Sequence, residues 1–108
     1  MLRIYQDWML GMPELGMLFG RIARVDSDLA RQGRRTAASV ALNLAEGFGC
    51  CDGNKRLRYE TALGALYETR AVLDVGSKWG YIGELSAERQ RFFNGMCKAL
   101  GKLSMKRK

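Results

Sequence analysis

One stretch of the sequence decides the fold: Gln32 to Gly47, which reads QGRRTAASVALNLAEG. Its alanines, valine and leucines follow helical spacing, so the segment is predicted to be a helix. Residues recurring three to four positions apart line one side of that helix: Ser39, Asn43, Glu46 and Gly47. Because buried polar atoms need hydrogen-bond partners, we expect this side to contact a neighbouring helix or another subunit.

Glu46 is the least expected residue on this side. A carboxylate near the C-terminus of a helix opposes the helix dipole, which favours cations there. We therefore expect a compensating contact, either with an arginine or with the N-terminus of the next helix. For the segment as a whole, a structural hydrogen-bond network and a contact with a ligand or nucleic acid are both open interpretations.

Apolar residues at helical spacing extend on both sides of this segment. The first helix carries a stripe from Ile4 to Val25, and Pro13 inside it predicts a kink or a restart. Because the stripe continues past Pro13, one bent helix is favoured. The second helix follows an N-cap cluster at residues 26–28, and its stripe is predicted to end at Phe48.

Two further helices are predicted after a short polar loop. The third runs from Lys55 to about Trp79, with Gly80 at its C′ position, and Ser86 begins the fourth. Short loops between long helices favour antiparallel neighbours. The sequence thus predicts an all-α protein, a single up-down-up-down antiparallel four-helix bundle over residues 1–108, in which 104–108 form a basic, frayed tail.

Thirteen glycines are many for a helical chain, because each one inside a helix costs stability. Close approach of helix backbones would offset that cost. Gly64, beside Ala62 and Ala65, is predicted to form a smooth strip for another helix of the same or a neighbouring subunit.

Composition excludes several classes of function. The 108 residues are 47% hydrophobic and 27% charged, as in an ordinary globular domain, and no apolar run approaches the roughly 20 residues that cross a bilayer. Three cysteines favour a reducing compartment, so we expect a cytoplasmic protein without membrane partners. Without histidine, the usual zinc, di-iron and Ser-His or Cys-His sites cannot form; we expect no metal, no cofactor and no catalysis.

Positive charge is concentrated in three regions, within a formal net charge of +7. Two regions begin the second and third helices, and the third region is the C-terminus, which antiparallel packing would bring near the start of the third helix. Clustered cations can bind the phosphates of a nucleic acid. The alternative interpretation is that the positive charge only keeps the protein soluble. The candidate nucleic-acid-binding residues are Arg31, Arg34, Arg35, Lys55, Arg56, Arg58, Lys102 and Lys106.

Two later blocks accompany the Gln32 to Gly47 segment, in the same order: Ala62-Leu63-Gly64-Ala65-Leu66 with Glu68, and Gly80-Tyr81-Ile82. Together the blocks resemble the small four-helix-bundle family encoded in intervening sequences of bacterial large-subunit (23S) ribosomal RNA genes. They also resemble the related accessory variability determinant of diversity-generating retroelements. The chain departs from the family pattern in having Ala41 where proline is frequent, and Cys50 and Cys51 where basic residues are frequent.

The resemblance implies a homo-oligomer, since the retroelement relatives form ring-shaped pentamers that bind a reverse transcriptase and nucleic acid. It therefore implies RNA or DNA and a protein such as a reverse transcriptase as partners. A structural or subunit-interface role is expected for the polar motif, Ser39, Asn43, Glu46, Gly47, Gly64 and Glu68. The competing hypothesis is a scaffold subunit in which this motif makes subunit contacts and the basic regions bind an acidic protein.

Overall fold

Four helices form the part of the chain that the computed structural model describes, residues 2–50 and 54–105. They are α1 (Arg3–Ala23), α2 (Ser27–Gly49), α3 (Asn54–Lys78) and α4 (Ala87–Met105), and no strand occurs among the described residues. α2 packs against both α1 and α3, and α3 packs against α4, whereas α1 and α4 meet at few points. The predicted all-helical class is confirmed, and the packing is compatible with a bundle.

The predicted helix ends are confirmed by their capping hydrogen bonds. The Asp26 carboxylate accepts a bond from the Leu29 N–H at 3.0 Å and caps α2. After α3, Gly80 adopts a φ of 80°, which suits glycine, and the Tyr81 N–H donates to the Gly76 carbonyl at 2.8 Å. The Ser86 hydroxyl accepts from the Arg89 N–H at 3.1 Å at the start of α4.

Pro13 lies inside one continuous helix, as the unbroken apolar stripe of α1 favoured, and α1 does not restart there. Two details differ from the sequence-based expectations. Val25 and Phe48 are exposed, because Val25 lies in the turn beyond α1 and Phe48 lies off the buried face of α2. The expected tail does not begin at residue 104, since α4 continues through Met105 and Ser104 is buried; residues 106–108, including the candidate Lys106, lie outside the described residues.

Aromatic rings fill the centre of the core. Trp8, Phe19 and Phe93 are essentially fully buried. The Trp8 indole meets the Phe93 ring edge to face at 6.1 Å and donates a 3.0 Å hydrogen bond to the Ala37 carbonyl of α2. This bond satisfies the one polar atom of the ring, which lets α1 and α2 bury it together.

Glycines of α2 make room for rings from the neighbouring helices. A Cβ atom at Gly33 would overlap the ring of Phe19, and one at Gly47 would lie 2.6 Å from Cε1 of Tyr59. The absence of these side chains therefore allows close packing at two points of α2. Gly64 differs, since it is exposed and no atom lies within 4 Å of a Cβ built there. No other described helix therefore packs on Gly64.

A hydroxyl pair joins α2 to α3 inside the core. The Thr69 hydroxyl lies 2.9 Å from that of Thr36, and both side chains are buried. Each hydroxyl also reaches a carbonyl of its own helix, Gly33 for Thr36 at 3.1 Å and Ala65 for Thr69 at 2.8 Å. The buried oxygens are thus satisfied, and they fix the register of the two helices.

We predict opposite effects of alanine at two glycines. Gly33→Ala should destabilise the fold by about 1 to 3 kcal/mol, because Phe19 must move to admit the methyl group. The matched control Gly64→Ala should stabilise it by about 0.5 to 1 kcal/mol, since only the helix propensity changes there. Chemical denaturation of both variants measures these differences. Equal effects at the two sites would contradict the packing described.

The threonine pair predicts coupling between α2 and α3. Thr69→Val should cost about 0.5 to 1.5 kcal/mol, because it removes the hydroxyl but keeps the shape. The combined Thr36→Val and Thr69→Val variant should cost clearly less than the sum of the single changes. A double-mutant cycle by urea unfolding tests this, and strict additivity would show that the hydroxyls do not interact.

Candidate functional site

The candidate cations differ in whether a carboxylate already neutralises them. Arg34 and Arg35 are exposed on α2, and neither forms an ion pair within residues 2–50 and 54–105. Lys55 and Lys102 are likewise exposed and free of ion pairs in the described chain. Arg31, by contrast, contacts Asp28 of its own helix at 2.8 Å.

The two candidate arginines of α3, Arg56 and Arg58, are both engaged in ion pairs. Arg58 Nη1 lies 3.0 Å from the Glu46 carboxylate, which confirms an arginine as the expected partner of Glu46. Arg56 Nε lies 3.2 Å from Glu60 and donates a 3.0 Å bond to the Ser104 carbonyl. The Arg56 bond brings the start of α3 to the end of α4, as predicted for the second and third basic regions. The charge of Arg56, however, is partly neutralised by Glu60.

A polar groove lies between α2 and α3, beside the unpaired Arg35. It encloses about 450 Å³ and is lined by Asp28, Arg31, Gln32, Arg35, Thr36, Ser39 and Glu68. Residues that the sequence suggested separately, Arg35, Ser39 and Glu68, therefore meet at one place. Arg35 and Glu68 do not pair with each other, although both line the groove.

The groove is lined by charges of both signs and by neutral hydrogen-bonding groups. Arg31 pairs with Asp28, whereas Arg35 and Glu68 form no ion pair in the described part of the chain. A guanidinium presents several N–H donors in a plane and binds phosphate oxygens in pairs. Gln32 and the Ser39 hydroxyl add donors beside it, while Thr36 closes the groove from the buried side. The groove therefore offers one free guanidinium with amide and hydroxyl donors beside it, while the Glu68 carboxylate on the same lining repels an anion.

The rest of the polar motif finds its partners within the chain. The Asn43 amide donates to the Ser39 carbonyl at 2.9 Å and lies 3.1 Å from the Ser39 hydroxyl. Gly47 is buried under the Tyr59 ring, and burial, with a smaller effect of nearby Cys50, raises the pKa of that phenol. On this side of α2, Glu46 and Gly47 therefore contact α3, and Asn43 bonds to Ser39 of its own helix.

Sequence reasoning missed the groove's inner residue, Thr36, and its partner Thr69. A signal was present, because Thr69 lies three residues after Leu66 and four before Leu73, on the buried face of α3. A threonine at such a position needs a polar partner from a neighbouring helix.

Residues 2–50 and 54–105 contain no group of three or more acidic or cysteine side chains arranged to hold a metal ion. None of the described helices is long and apolar enough to cross a membrane.

Comparisons of the chain with protein-family models, with curated proteins and with solved structures found no match.

Proposed function

We propose that this chain is a non-catalytic, homo-oligomeric four-helix-bundle protein that binds RNA or DNA through Arg34 and Arg35. The observation that carries the proposal is the exposure of both guanidinium groups without a carboxylate partner in the described chain. Because no carboxylate must be displaced, these two arginines can exchange counterions directly for phosphates. Arg35 also lines the polar groove, where Ser39 and Gln32 can assist it.

The α3 arginines contribute less to the proposed interface. Arg58 and Arg56 must leave Glu46 and Glu60 before they can bind a phosphate fully. Exposed ion pairs of this kind are worth about 0.2 to 1 kcal/mol each, so they reduce the affinity at those positions without abolishing it. Lys55 and Lys102 add to the electrostatic attraction from a greater distance.

The two arginine pairs provide a charge-matched test. Arg34→Ala/Arg35→Ala and Arg56→Ala/Arg58→Ala each remove two charges from the formal net charge of +7. We expect the first variant to weaken binding of an unstructured RNA at least about tenfold, and the second variant clearly less. Fluorescence anisotropy at two salt concentrations measures both affinities, and the first variant should also flatten the salt dependence by about 1 to 2 in log-log slope.

The outcomes of this test distinguish binding through Arg34 and Arg35 from a general effect of charge. Equal losses in both variants would assign the binding to net charge alone, and absence of wild-type binding at low salt would remove the proposal. Unfolding curves of both variants serve as the control, because Arg56 also holds α4 through Ser104.

The proposal includes an up-down-up-down antiparallel arrangement of the helices. It is supported by pairs of contacts that run in opposite directions along neighbouring helices. On α2 and α3, Thr36 meets Thr69 whereas Gly47 meets Tyr59. The other supporting pairs are Arg70 with Asn94 and Arg56 with Ser104 for α3 and α4, and Glu14 with Arg89 and Gly11 with Phe92 for α1 and α4.

Membership of the ribosomal intervening-sequence family and a pentameric state are proposed on the resemblance of the three sequence blocks. Symmetry would repeat the free arginines around an axis and strengthen their field. A protein partner such as a reverse transcriptase is proposed on the same ground.

A cytoplasmic location is proposed because Cys50 and Cys97 are free thiols, which suit a reducing compartment.

A scaffold role is the second candidate, and an exposed apolar surface favours it. Leu10 and Met17 of α1 are 80% and 62% exposed. A separate groove of about 880 Å³ between α1 and α4 has an apolar lining that includes Leu2, Ala99 and Leu103, with charged residues such as Lys102 at its sides. Exposed apolar surface of this kind marks interaction sites.

The native mass of the Arg34→Ala/Arg35→Ala variant separates the two candidates. If the arginines contact nucleic acid, the assembly should keep its wild-type mass in native mass spectrometry. Dissociation of the variant would instead show that they close a subunit interface, which favours the scaffold role.

A further inference from the structure

Trp79 is an exposed aromatic side chain held in a defined place. It follows the last residue of α3, where its N–H donates to the Val75 carbonyl at 2.9 Å, and its side chain is 64% exposed. The indole meets the Tyr81 ring edge to face at 5.9 Å and 68°. The turn at Gly80 fixes both residues, so the indole is restrained although it faces solvent.

Two cations without ion pairs in the described chain belong to the helix ends that adjoin Trp79. A Cβ atom at Gly76 would lie 2.9 Å from Ile22, so the ends of α1 and α3 adjoin, and Arg24 and Trp79 follow these two residues closely in the chain. Neither Arg24 nor Lys78, which precedes Trp79, forms an ion pair in the described part of the chain.

A restrained aromatic face beside free cations has a specific chemical use. Single-stranded nucleic acids present unpaired bases that stack on aromatic side chains, while their phosphates contact nearby cations. The bases of a duplex are already stacked on one another and offer no face to an indole. We propose that Trp79 stacks on an unpaired base and gives the protein a preference for single strands over duplexes. This inference rests on the proposed nucleic-acid binding.

The two tryptophans make the contact directly measurable. Trp8 is fully buried, so its emission lies to the blue and is insensitive to ligands, whereas exposed Trp79 emits to the red. Adding a short oligouridylate should quench the red component only, and a duplex RNA of the same length should not. Anisotropy of a labelled oligouridylate reports binding independently of the tryptophans.

Variants then test the energetic contribution. Trp79→Ala should weaken oligouridylate binding about 5- to 150-fold, the range for loss of one stacked base, while leaving duplex binding unchanged. Trp79→Phe should retain most of the affinity. The matched control is Tyr67→Ala, which removes another exposed aromatic ring of α3, about 18 Å away along the helix, and should have no effect on either ligand.

The outcomes separate this inference from the function on which it rests. Oligouridylate binding that leaves Trp79 emission and the Trp79→Ala affinity unchanged would overturn the stacking while the proposed function stands. Absence of binding to both RNAs at low salt would overturn the two together. A blue shift of Trp79 that grows with protein concentration, without RNA, would assign the side chain to a contact between copies and overturn the inference.

Discussion

The fold depends on how closely α1 and α3 can approach α2. At Gly33 and Gly47 the rings of Phe19 and Tyr59 occupy the space that a side chain would need. Glycine inside a helix costs about 0.5 to 1 kcal/mol, and burial of an aromatic ring against it offsets that cost. The Thr36 and Thr69 hydroxyls lie between these two points and satisfy each other where the helices meet.

This close packing determines which charges remain available. α1 and α3 cover the inner face of α2. The polar residues of α2 therefore either contact α3 or face the solvent. Glu46 lies beside α3 and is neutralised by Arg58, whereas Arg34 and Arg35, more than two turns earlier, form no ion pair with the described residues. The same helix thus carries a structural ion pair near one end and free cations near the other. The formal net charge of +7 is therefore not spread evenly over the surface of the protein.

The corner after α3 shows how a backbone motif can expose a side chain. Gly80 reverses the chain with a positive φ, and Ile82 then returns to the core. Trp79, just before the turn, has no core position to occupy and remains at the surface against Tyr81. The exposed ring is therefore a consequence of how α3 ends, and the aromatic contact keeps it ordered.

The sequence by itself determined the four helices, most of their ends and most of the buried stripe, because helical periodicity and capping depend on residues close in the chain. Asp26, Gly80 and Ser86 illustrate this, since each acts on backbone groups within a few positions. Only the tertiary structure decided which cations are free, that Gly33 rather than Gly64 receives a ring, and that Thr36 meets Thr69. These properties depend on distances between helices, and residues far apart in sequence carry no local signal of which of them will meet.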